Sequence, residues 1–452
     1  MIKCSIISLG CPKNLVDSEQ ILGLLQQSSF EIELEPEEAD VVIINTCGFL
    51  AASRDEGMEH IRRMEALRRD PQARLRCLIV AGCLVSRDKE ALVERCEFVD
   101  VFLDVFSRDA ILEAVEHVLS PSEDAPSRPT QAQRLICGRT PGIAHDTHRF
   151  PLLPPHTAYL KIAEGCNRRC SFCAIPNIRG NFTSKPMAEI LDEARRLVAS
   201  GVREIMLIAQ ETSFYGRDLA DPDASLASLL RQLGRLEGEG LRWVRPMYLY
   251  PQLFEEELVD ALAQTPNVVP YIDLPLQHIN NRILKSMRRA VTREETLDLL
   301  ERLRERIPQL AIRTAFIVGY PGETPQEFEE LLSFVRKQRF PHVGVFQYSP
   351  EEGTPAATMI QVSEKVARKR AQTLMDVQRK ISAQWTRSFV GKTMDVIVDM
   401  RVENGFLGRT PFDAPDIDGR VWIADAPIQP GEIYPCKFVA ADEYDLFGEV
   451  VF

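Results

Sequence analysis

Three short segments rich in isoleucine and valine recur at the start of this chain, and they constrain its fold more than any other feature. They cover residues 3–9, 40–45 and 76–82, and helix-like sequence follows each of them. Apolar runs of this length that alternate with helical segments are typical of βα units in a parallel sheet. The sequence therefore predicts an open parallel α/β sheet at the N-terminus.

One cysteine lies in the first turn after each of these strands. Cys11, Cys47 and Cys83 are spaced 36 residues apart, which is the length of one βα unit here. Because the turns after parallel strands meet at one edge of the sheet, where ligands bind, we expect the three thiols to converge there as metal ligands. The alternative is that they are ordinary buried thiols, which is the interpretation we favour for Cys4 and Cys77 inside the strands.

The size and composition of the chain exclude several classes of protein. Its 452 residues suggest about three domains. No apolar run reaches the roughly 18 residues of a membrane helix, so we expect a cytoplasmic protein with no membrane partner. Eleven scattered cysteines, an odd number, argue against a secreted disulfide framework. The formal net charge of −12 means that a nucleic-acid partner would need a local basic patch.

Two changes in composition divide the rest of the chain. Proline, serine and charged residues dominate residues 119–155, which we interpret as a linker in which His145 and His148 are solvated. Strand-like and helix-like segments then alternate, and the predicted strands are residues 158–163, 203–209, 243–249, 268–274, 311–318 and 342–348. They predict a partial (β/α)6 barrel with its active site at the carboxyl ends of the strands. The predicted domains are residues 1–118, 156–385 and 386–452.

A second group of cysteines lies in the loop after the first of these six strands. Cys166, Cys170 and Cys173 form a C-x3-C-x2-C pattern. Zinc would need a further cysteine knuckle or a histidine pair, and the sequence offers neither. A 4Fe-4S cluster normally takes four thiolates, so three thiolates leave one iron open to chelate a substrate. The spacing therefore favours an iron-sulfur site.

With an aromatic residue before its last cysteine, this loop resembles the signature of the radical S-adenosylmethionine (SAM) superfamily. The resemblance implies that SAM binds the open iron and is cleaved there by reduction. The candidate cofactor-binding residues are Phe172, Gln210, Glu211, Thr212, Gly319 and Gly322. The phenyl ring would lie against the adenine, the polar residues would reach the methionyl group or the ribose, and the glycines would let the backbone approach. A solvated loop position for Glu211, and ordinary turn positions for the glycines, remain alternatives.

Two such cysteine groups in one chain resemble a narrower family, the radical SAM methylthiotransferases. The segment GCPKNLVDSE at residues 10–19 is similar to the RimO branch, which modifies an aspartate of ribosomal protein S-12; the tRNA-modifying branch usually has GCQMN there. LQHIN at 276–280 and DAPDIDG at 413–419 also resemble the RimO branch. The resemblance implies two 4Fe-4S clusters, SAM, a sulfur donor, and an electron donor such as flavodoxin or ferredoxin. It further implies that a methylthio group is placed on the aspartate β-carbon, and we expect no catalytic residue beyond the six cysteine ligands.

The last segment, from residue 388, is predicted to be a small all-β barrel that resembles a TRAM domain, with strands at 395–400, 421–424 and 434–439. It has 12 acidic and 5 basic residues, a net charge of −7, which suits a basic ribosomal protein better than RNA. Asp413, Asp416 and Asp418 are expected to lie in a polar turn and to contribute to this acidic surface. The basic helix at 364–380 is expected to be solvated, with ribosomal RNA contact as its alternative. The alternative functions are tRNA adenosine methylthiolation and a non-catalytic iron-sulfur or RNA-binding adaptor.

Overall fold

The computed structural model of the chain describes residues 1–119, 134–137 and 148–452. Most of the predicted linker, including His145, lies outside these residues, whereas His148 is exposed, as expected. Two compact units make up the chain. The first comprises Met1–Leu152, Ala163–Arg168 and Cys173–Lys185, and the second comprises Leu153–Ile162, Arg169–Phe172 and Pro186–Phe452.

The first unit is built on a six-stranded sheet in which each strand is parallel to its neighbours. The strands are β1 (Lys3–Ser8), β2 (Glu31–Ile32), β3 (Val41–Thr46), β4 (Cys77–Gly82), β5 (Val101–Leu103) and β6 (Leu135–Ile136). Their order across the sheet is β2-β1-β3-β4-β5-β6. The prediction of an open parallel sheet is confirmed.

Helices and a short hairpin complete the first unit. The helices are α1 (Pro12–Gln27), α2 (Ala51–Arg69), α3 (Cys83–Arg95), α4 (Ile111–Leu119) and α5 (Ile175–Arg179), and the antiparallel strands are β7 (Ala163–Glu164) and β8 (Thr183–Ser184). Alternate residues of β3 enter different cores: Val41 packs with residues of α1, whereas Val42 packs with residues of α2. Cys4 and Cys77 are fully buried in the core shared with α1, as expected.

The second unit contains six parallel strands in two three-stranded sheets. They are β9 (Thr157–Lys161), β10 (Glu204–Ile208), β11 (Trp243–Pro246), β12 (Tyr271–Asp273), β13 (Ala311–Val318) and β14 (His342–Gln347). The orders are β11-β10-β9 and β12-β13-β14, and a parallel bridge from Val244 to Val268 joins the two sheets between β11 and β12. This curved array confirms the predicted partial barrel.

Amphipathic helices connect these strands, and none of them could cross a membrane. They are α6 (Met187–Ala199), α7 (Leu226–Gly234), α8 (Glu256–Gln264), α9 (Asn281–Ser286), α10 (Arg293–Arg306), α11 (Pro325–Gln338) and α12 (Glu364–Arg387). Across the described part of the chain, every helix is too short or too polar to span a bilayer.

The C-terminal segment of the second unit forms a closed five-stranded barrel. Its strands are β15 (Thr393–Val402), β16 (Gly405–Arg409), β17 (Val421–Ile423), β18 (Ile433–Ala441) and β19 (Leu446–Val450). They close in the order β15-β16-β17-β19-β18. Three of the strands were predicted, whereas β16 and β19 were not.

The aspartates of the loop between β16 and β17 are not a shared acidic surface, and that expectation is wrong for two of the three. Only Asp416 among them is exposed. The Asp418 carboxylate lies 3.4 Å from both Arg313 Nε and His342 Nδ1, and its side chain is 2% exposed. Asp413 lies 3.6 Å from His342 Nε2. The Asp418 carboxylate pairs with the Arg313 guanidinium of β13, and both carboxylates contact His342 at the start of β14.

Candidate functional site

Cys11, Cys47 and Cys83 follow β1, β3 and β4, which are neighbours in the sheet of the first unit. A Cβ atom added to Gly10 would lie 2.8 Å from Cys47 Cβ, so the turn that carries Cys11 packs directly on Cys47. A Cβ added to Gly48 would lie 2.4 Å from the carbonyl oxygen of Cys83. The three turns therefore pack against one another at the carboxyl edge of the sheet.

Two buried asparagines fix the start of α1 beside these turns. Asn14 Nδ2 donates to the carbonyl oxygens of Leu9 (3.1 Å) and Thr46 (2.9 Å). Asn45 Nδ2 donates to the carbonyl oxygen of Asn14 (2.8 Å) and to Ser18 Oγ (2.9 Å). Asn14 and Ser18 of the GCPKNLVDSE segment thus have a structural role, because their hydrogen bonds hold the helix after Cys11 against β3.

Sequence reasoning missed the buried arginine at this edge. Arg179, the last residue of α5, donates from Nε to Cys83 Sγ at 3.3 Å. Its Nη1 pairs with Glu164 at 2.9 Å, and its Nη2 pairs with Asp17 at 3.0 Å and also bonds Asn14 Oδ1. The one available signal was an arginine inside the apolar stretch that follows the C-x3-C-x2-C loop.

The electrostatic environment of these thiols combines burial with a nearby cation. Burial raises the pKa of the Cys83 thiol to about 12, and the Arg179 guanidinium opposes that shift. Burial also raises the pKa of Cys47. Cys83 is the first residue of α3, and a helix N-terminus favours a thiolate over a thiol. A metal that binds these cysteines would have to replace their protons.

The arrangement suits a cluster better than a single ion. Across residues 1–119, 134–137 and 148–452, no three His, Cys, Asp or Glu side chains are arranged to hold one metal ion. In a cubane each thiolate binds a different iron, so its ligands need not meet at one point. Gly10 allows the Cys11 turn to pack this closely on Cys47, because a Cβ there would lie 3.2 Å from the Cys47 sulfur. Three cysteine turns that pack against one another fit an iron-sulfur cluster with three protein ligands.

The C-x3-C-x2-C loop takes its shape from the β7–β8 hairpin. Gly165 has φ +77°, and a Cβ on it would lie 2.1 Å from the carbonyl oxygen of Asn181. Cys166 N donates to the carbonyl oxygen of Gly180 at 3.1 Å. Cys166 is buried and Cys173 is half-buried. Only glycine fits where the loop begins, because a side chain would collide with the backbone of the returning strand.

The middle of the same loop is held by the segment after α9. Ser171 N donates to the carbonyl oxygen of Met287 at 3.0 Å, and Cys170 Sγ lies 4.0 Å from Arg289 Nη1. Phe172 packs on an apolar cluster that includes Met287 and Tyr320. The loop is thus held at Phe172 and at the two residues before it, and a contact of Phe172 with adenine stays a prediction.

The residues after β10 form a buried polar corner. Glu211 is 2% exposed, so the alternative of a solvated loop acid is wrong. Gln210 is half-buried. Thr212 N donates to the carbonyl oxygen of Tyr248 at 3.1 Å, but its hydroxyl oxygen is buried and has no hydrogen-bond partner among the described residues. A buried hydroxyl of this kind fits a site that receives a polar ligand such as SAM.

The two glycines after β13 both have left-handed backbone conformations. Gly319 and Gly322 have φ values of +71° and +77°. A Cβ on Gly319 would lie 2.4 Å from the Cβ of Ala367, so the packing of α12 requires glycine there. Glu323 Oε2 accepts hydrogen bonds from Gly319 N at 2.5 Å and from Arg370 Nη1 at 2.7 Å. Arg370 is therefore buried rather than on the predicted solvated helix face, and a cofactor contact of either glycine stays a prediction.

Comparison with known proteins covers almost the whole chain. Residues 3–104 match the uncharacterized protein family UPF0004, residues 160–335 match the radical SAM superfamily, and residues 390–451 match the TRAM domain. The ribosomal protein uS12 methylthiotransferase RimO of Desulforamulus reducens is 42% identical over 457 residues, with 100% of both chains covered. RimO of Geobacter sulfurreducens is 42% identical and covers 99% of this chain and 98% of its own.

The likeness to solved structures concerns the fold. The radical SAM methyltransferase TsrM of Kitasatospora setae, solved with cobalamin and a [4Fe-4S] cluster bound, has a TM-score of 0.57 and 17% sequence identity. The match covers 79% of this chain and 74% of TsrM.

Proposed function

The chain belongs to the ribosomal protein uS12 methylthiotransferase family of radical SAM transferases, and on that premise we propose that it inserts sulfur at the β-carbon of an aspartate of uS12 and methylates it. The full-length identity of 42% to relatives with that activity in their names supports this choice. It disfavours a tRNA adenosine as substrate, and a non-catalytic adaptor would not need the radical SAM core.

Radical SAM enzymes use a 4Fe-4S cluster and SAM, and we assign the ligands of that cluster to Cys166, Cys170 and Cys173. When bound, the cluster and SAM supply reductive cleavage of the sulfonium, and hence a radical able to remove hydrogen from carbon. Gly165 shapes the loop that presents the thiols. We also assign the Thr212 hydroxyl a hydrogen bond with SAM. This oxygen is buried and has no partner among the described residues, and SAM would supply one.

The second cluster is assigned to Cys11, Cys47 and Cys83. The observation that carries this assignment is that the three turns pack against one another at the carboxyl edge of the sheet. A cluster there would hold the sulfur that a second SAM methylates. The chain's own contribution is to let the Cys11 turn pack on Cys47 at Gly10 and to hold Cys83 beside a buried cation.

Iron analysis of cysteine variants tests both assignments. Anaerobically reconstituted protein should hold about eight irons, two cubanes of four. Replacing Cys11, Cys47 and Cys83 by alanine should halve the iron and leave SAM cleavage detectable, whereas replacing the other triplet should halve the iron and abolish cleavage. The matched control replaces Cys4 and Cys77, which lie inside strands, and should keep all the iron. Full iron in the first variant would contradict the second cluster.

The remaining assignments follow from the reaction. Residues 1–118 would carry the second cluster, 119–155 would be a linker, 156–385 the radical core, and 386–452 the domain that receives uS12. The net charge of −7 from residue 388 onward favours a basic partner, and binding to uS12 should weaken as salt rises. The chemistry needs a sulfur donor and an electron donor such as flavodoxin or ferredoxin. The location would be the cytoplasm, where ribosomal proteins are found.

A further inference from the structure

All three side-chain nitrogen atoms of Arg179 make hydrogen bonds at the cysteine edge of the first unit. The side chain is 2% exposed, and its three nitrogen atoms face Cys83 Sγ, Glu164, Asp17 and Asn14. The guanidinium is planar and carries its donors in fixed directions. The contact from Nε to sulfur at 3.3 Å is therefore fixed by the same geometry that makes the two ion pairs.

Ion pairs with Glu164 and Asp17 compensate the buried charge of Arg179. Glu164 and Asp17 have side chains that are 2% and 7% exposed, and Asp17 also lies 3.1 Å from Arg108 Nη1. Two guanidinium groups and two carboxylates make a neutral buried set, which is the condition under which buried charges are tolerated. The Nε donor is not needed for that balance, and it points at one of the proposed cluster ligands.

We infer that Arg179 is a positioning residue for the cluster held by Cys11, Cys47 and Cys83, and that its Nε–H···Sγ bond to Cys83 raises the reduction potential of that cluster. This inference rests on the proposed second cluster. A hydrogen bond to a ligand sulfur, with a positive charge behind it, stabilises the more negative reduced state relative to the oxidised state. The arginine therefore sets the electronic character of the cluster as well as holding Cys83.

The test uses full-length protein in which Cys166, Cys170 and Cys173 are alanine, so that only the second cluster can form. Its midpoint potential is measured by a reductive titration followed by electron paramagnetic resonance. In this parent, Arg179→Lys should lower the potential, because the charge remains but the directed donor to sulfur is lost. Arg179→Gln should lower it further, because the charge is lost as well. A potential in Arg179→Lys equal to that of the parent would overturn the inference.

Glu164→Gln is the matched control. It weakens the ion pair that Arg179 makes at 2.9 Å but leaves the donor to Cys83 in place. The variant should unfold more readily than the parent, while its potential should not fall. If Glu164→Gln lowered the potential as much as Arg179→Lys, general disturbance of the site would explain both results, and the inference would fail.

A measurement on the parent alone covers the case in which the Arg179 variants do not fold. Protein labelled with [15N]arginine should show a weak nitrogen coupling to the reduced cluster in pulsed electron paramagnetic resonance, because one arginine nitrogen lies 3.3 Å from a ligand sulfur. Absence of that coupling would overturn the inference. Absence of iron from the parent would instead overturn the proposed second cluster, so the two failures can be told apart.

Discussion

Gly10 and Gly201 both have left-handed backbone conformations, with φ values of +94° and +107°, but their surroundings differ. A side chain at Gly10 would collide with Cys47, whereas nothing lies within 4 Å of a Cβ on Gly201. Alanine at either position should cost about 1–2 kcal/mol of backbone strain. Only Gly10→Ala should also lower the iron content, to about half, because it displaces one ligand of the proposed cluster. Full iron in Gly10→Ala would contradict the packing argument.

Thr212→Val tests the proposed contact with SAM. The variant removes a buried hydroxyl that has no partner among the described residues, so the free energy of unfolding without SAM should stay unchanged or rise. Affinity for SAM should fall about tenfold, as expected for the loss of one hydrogen bond. The control is Thr314→Val, whose buried hydroxyl donates to the carbonyl oxygen of Leu274 at 2.8 Å and whose loss should destabilise the fold by about 1 kcal/mol.

Equilibrium dialysis with SAM and chemical unfolding measure the two effects. If Thr212→Val bound SAM as tightly as the parent protein, the predicted contact would be wrong. If it were destabilised as much as Thr314→Val, the hydroxyl would have an internal partner after all.

The cysteine ligands could be proposed from sequence because their spacing repeats with the βα unit, so topology alone brings the turns together. Arg179 could not be found in this way. It approaches Cys83 across 96 residues of sequence, through a short helix whose position depends on tertiary packing. The same holds for Asn14, whose hydrogen bond to Thr46 crosses from α1 to β3.

The observed strand boundaries agree with the predicted ones where an apolar run in the sequence ends sharply. β13 begins and ends at the predicted residues 311 and 318. β12 is shorter than predicted because Pro270, which has no backbone N–H for the ladder, precedes its first residue. β16 and β19 were not predicted because glycine interrupts the apolar sequence of both strands. Their pairing depends on closure of the barrel.

The loop between β16 and β17 allows a test of the buried ion pairs that the barrel makes with the core strands. Asp418→Asn should destabilise the second unit by about 3 kcal/mol, because it removes the carboxylate that pairs with the largely buried Arg313 guanidinium and contacts His342. Asp425→Asn is the matched control. Asp425 pairs with Arg401 at 3.2 Å, but both side chains are more than 60% exposed, so the cost should be about 0–1 kcal/mol. Equal shifts in thermal unfolding would contradict the structural role of Asp418.

Asp413 in the same loop predicts a dependence of stability on pH. Burial raises its pKa from the ordinary 3.8 to about 6. Between about pH 4 and pH 6 the folded state holds a proton that the unfolded state has lost, so stability falls as the pH rises through this window. The amide of Asp413→Asn does not titrate, so this variant does not lose stability in the same way as the pH rises. Its free energy of unfolding relative to that of the parent should therefore increase by about 3 kcal/mol across the window. Urea unfolding at a series of pH values measures the difference.

The exposed neighbour Asp416 provides the control for this titration. Asp416→Asn keeps a residue type that tolerates the φ of +65° found there, and it removes a carboxylate from the same loop. If the stability of Asp413→Asn relative to the parent changed no more across the window than that of Asp416→Asn, Asp413 would not be the group responsible.

At the scale of the whole molecule, the order of the domains could be predicted from the sequence, because each domain has a distinct pattern of cysteines, apolar residues and charge. The role of the acidic barrel was only partly readable. Its net charge of −7 includes Asp413 and Asp418, whose side chains are buried against His342 of the core, so the charge offered to a partner comes from other acids such as Glu403 and Glu449. Composition counts charges, whereas the fold decides which of them reach the surface.

The central claim is that this chain methylthiolates an aspartate of uS12, and mass spectrometry of that protein tests it most directly. The uS12 from cells that lack this chain should be unmodified, and reintroducing the chain should add one methylthio group to a single aspartate. A chain in which Cys11, Cys47 and Cys83 are alanine should leave uS12 unmodified, whereas the variant without Cys4 and Cys77 should restore the modification. Unmodified uS12 in cells that contain the intact chain, together with a methylthio group on tRNA adenosine that depends on it, would contradict the account.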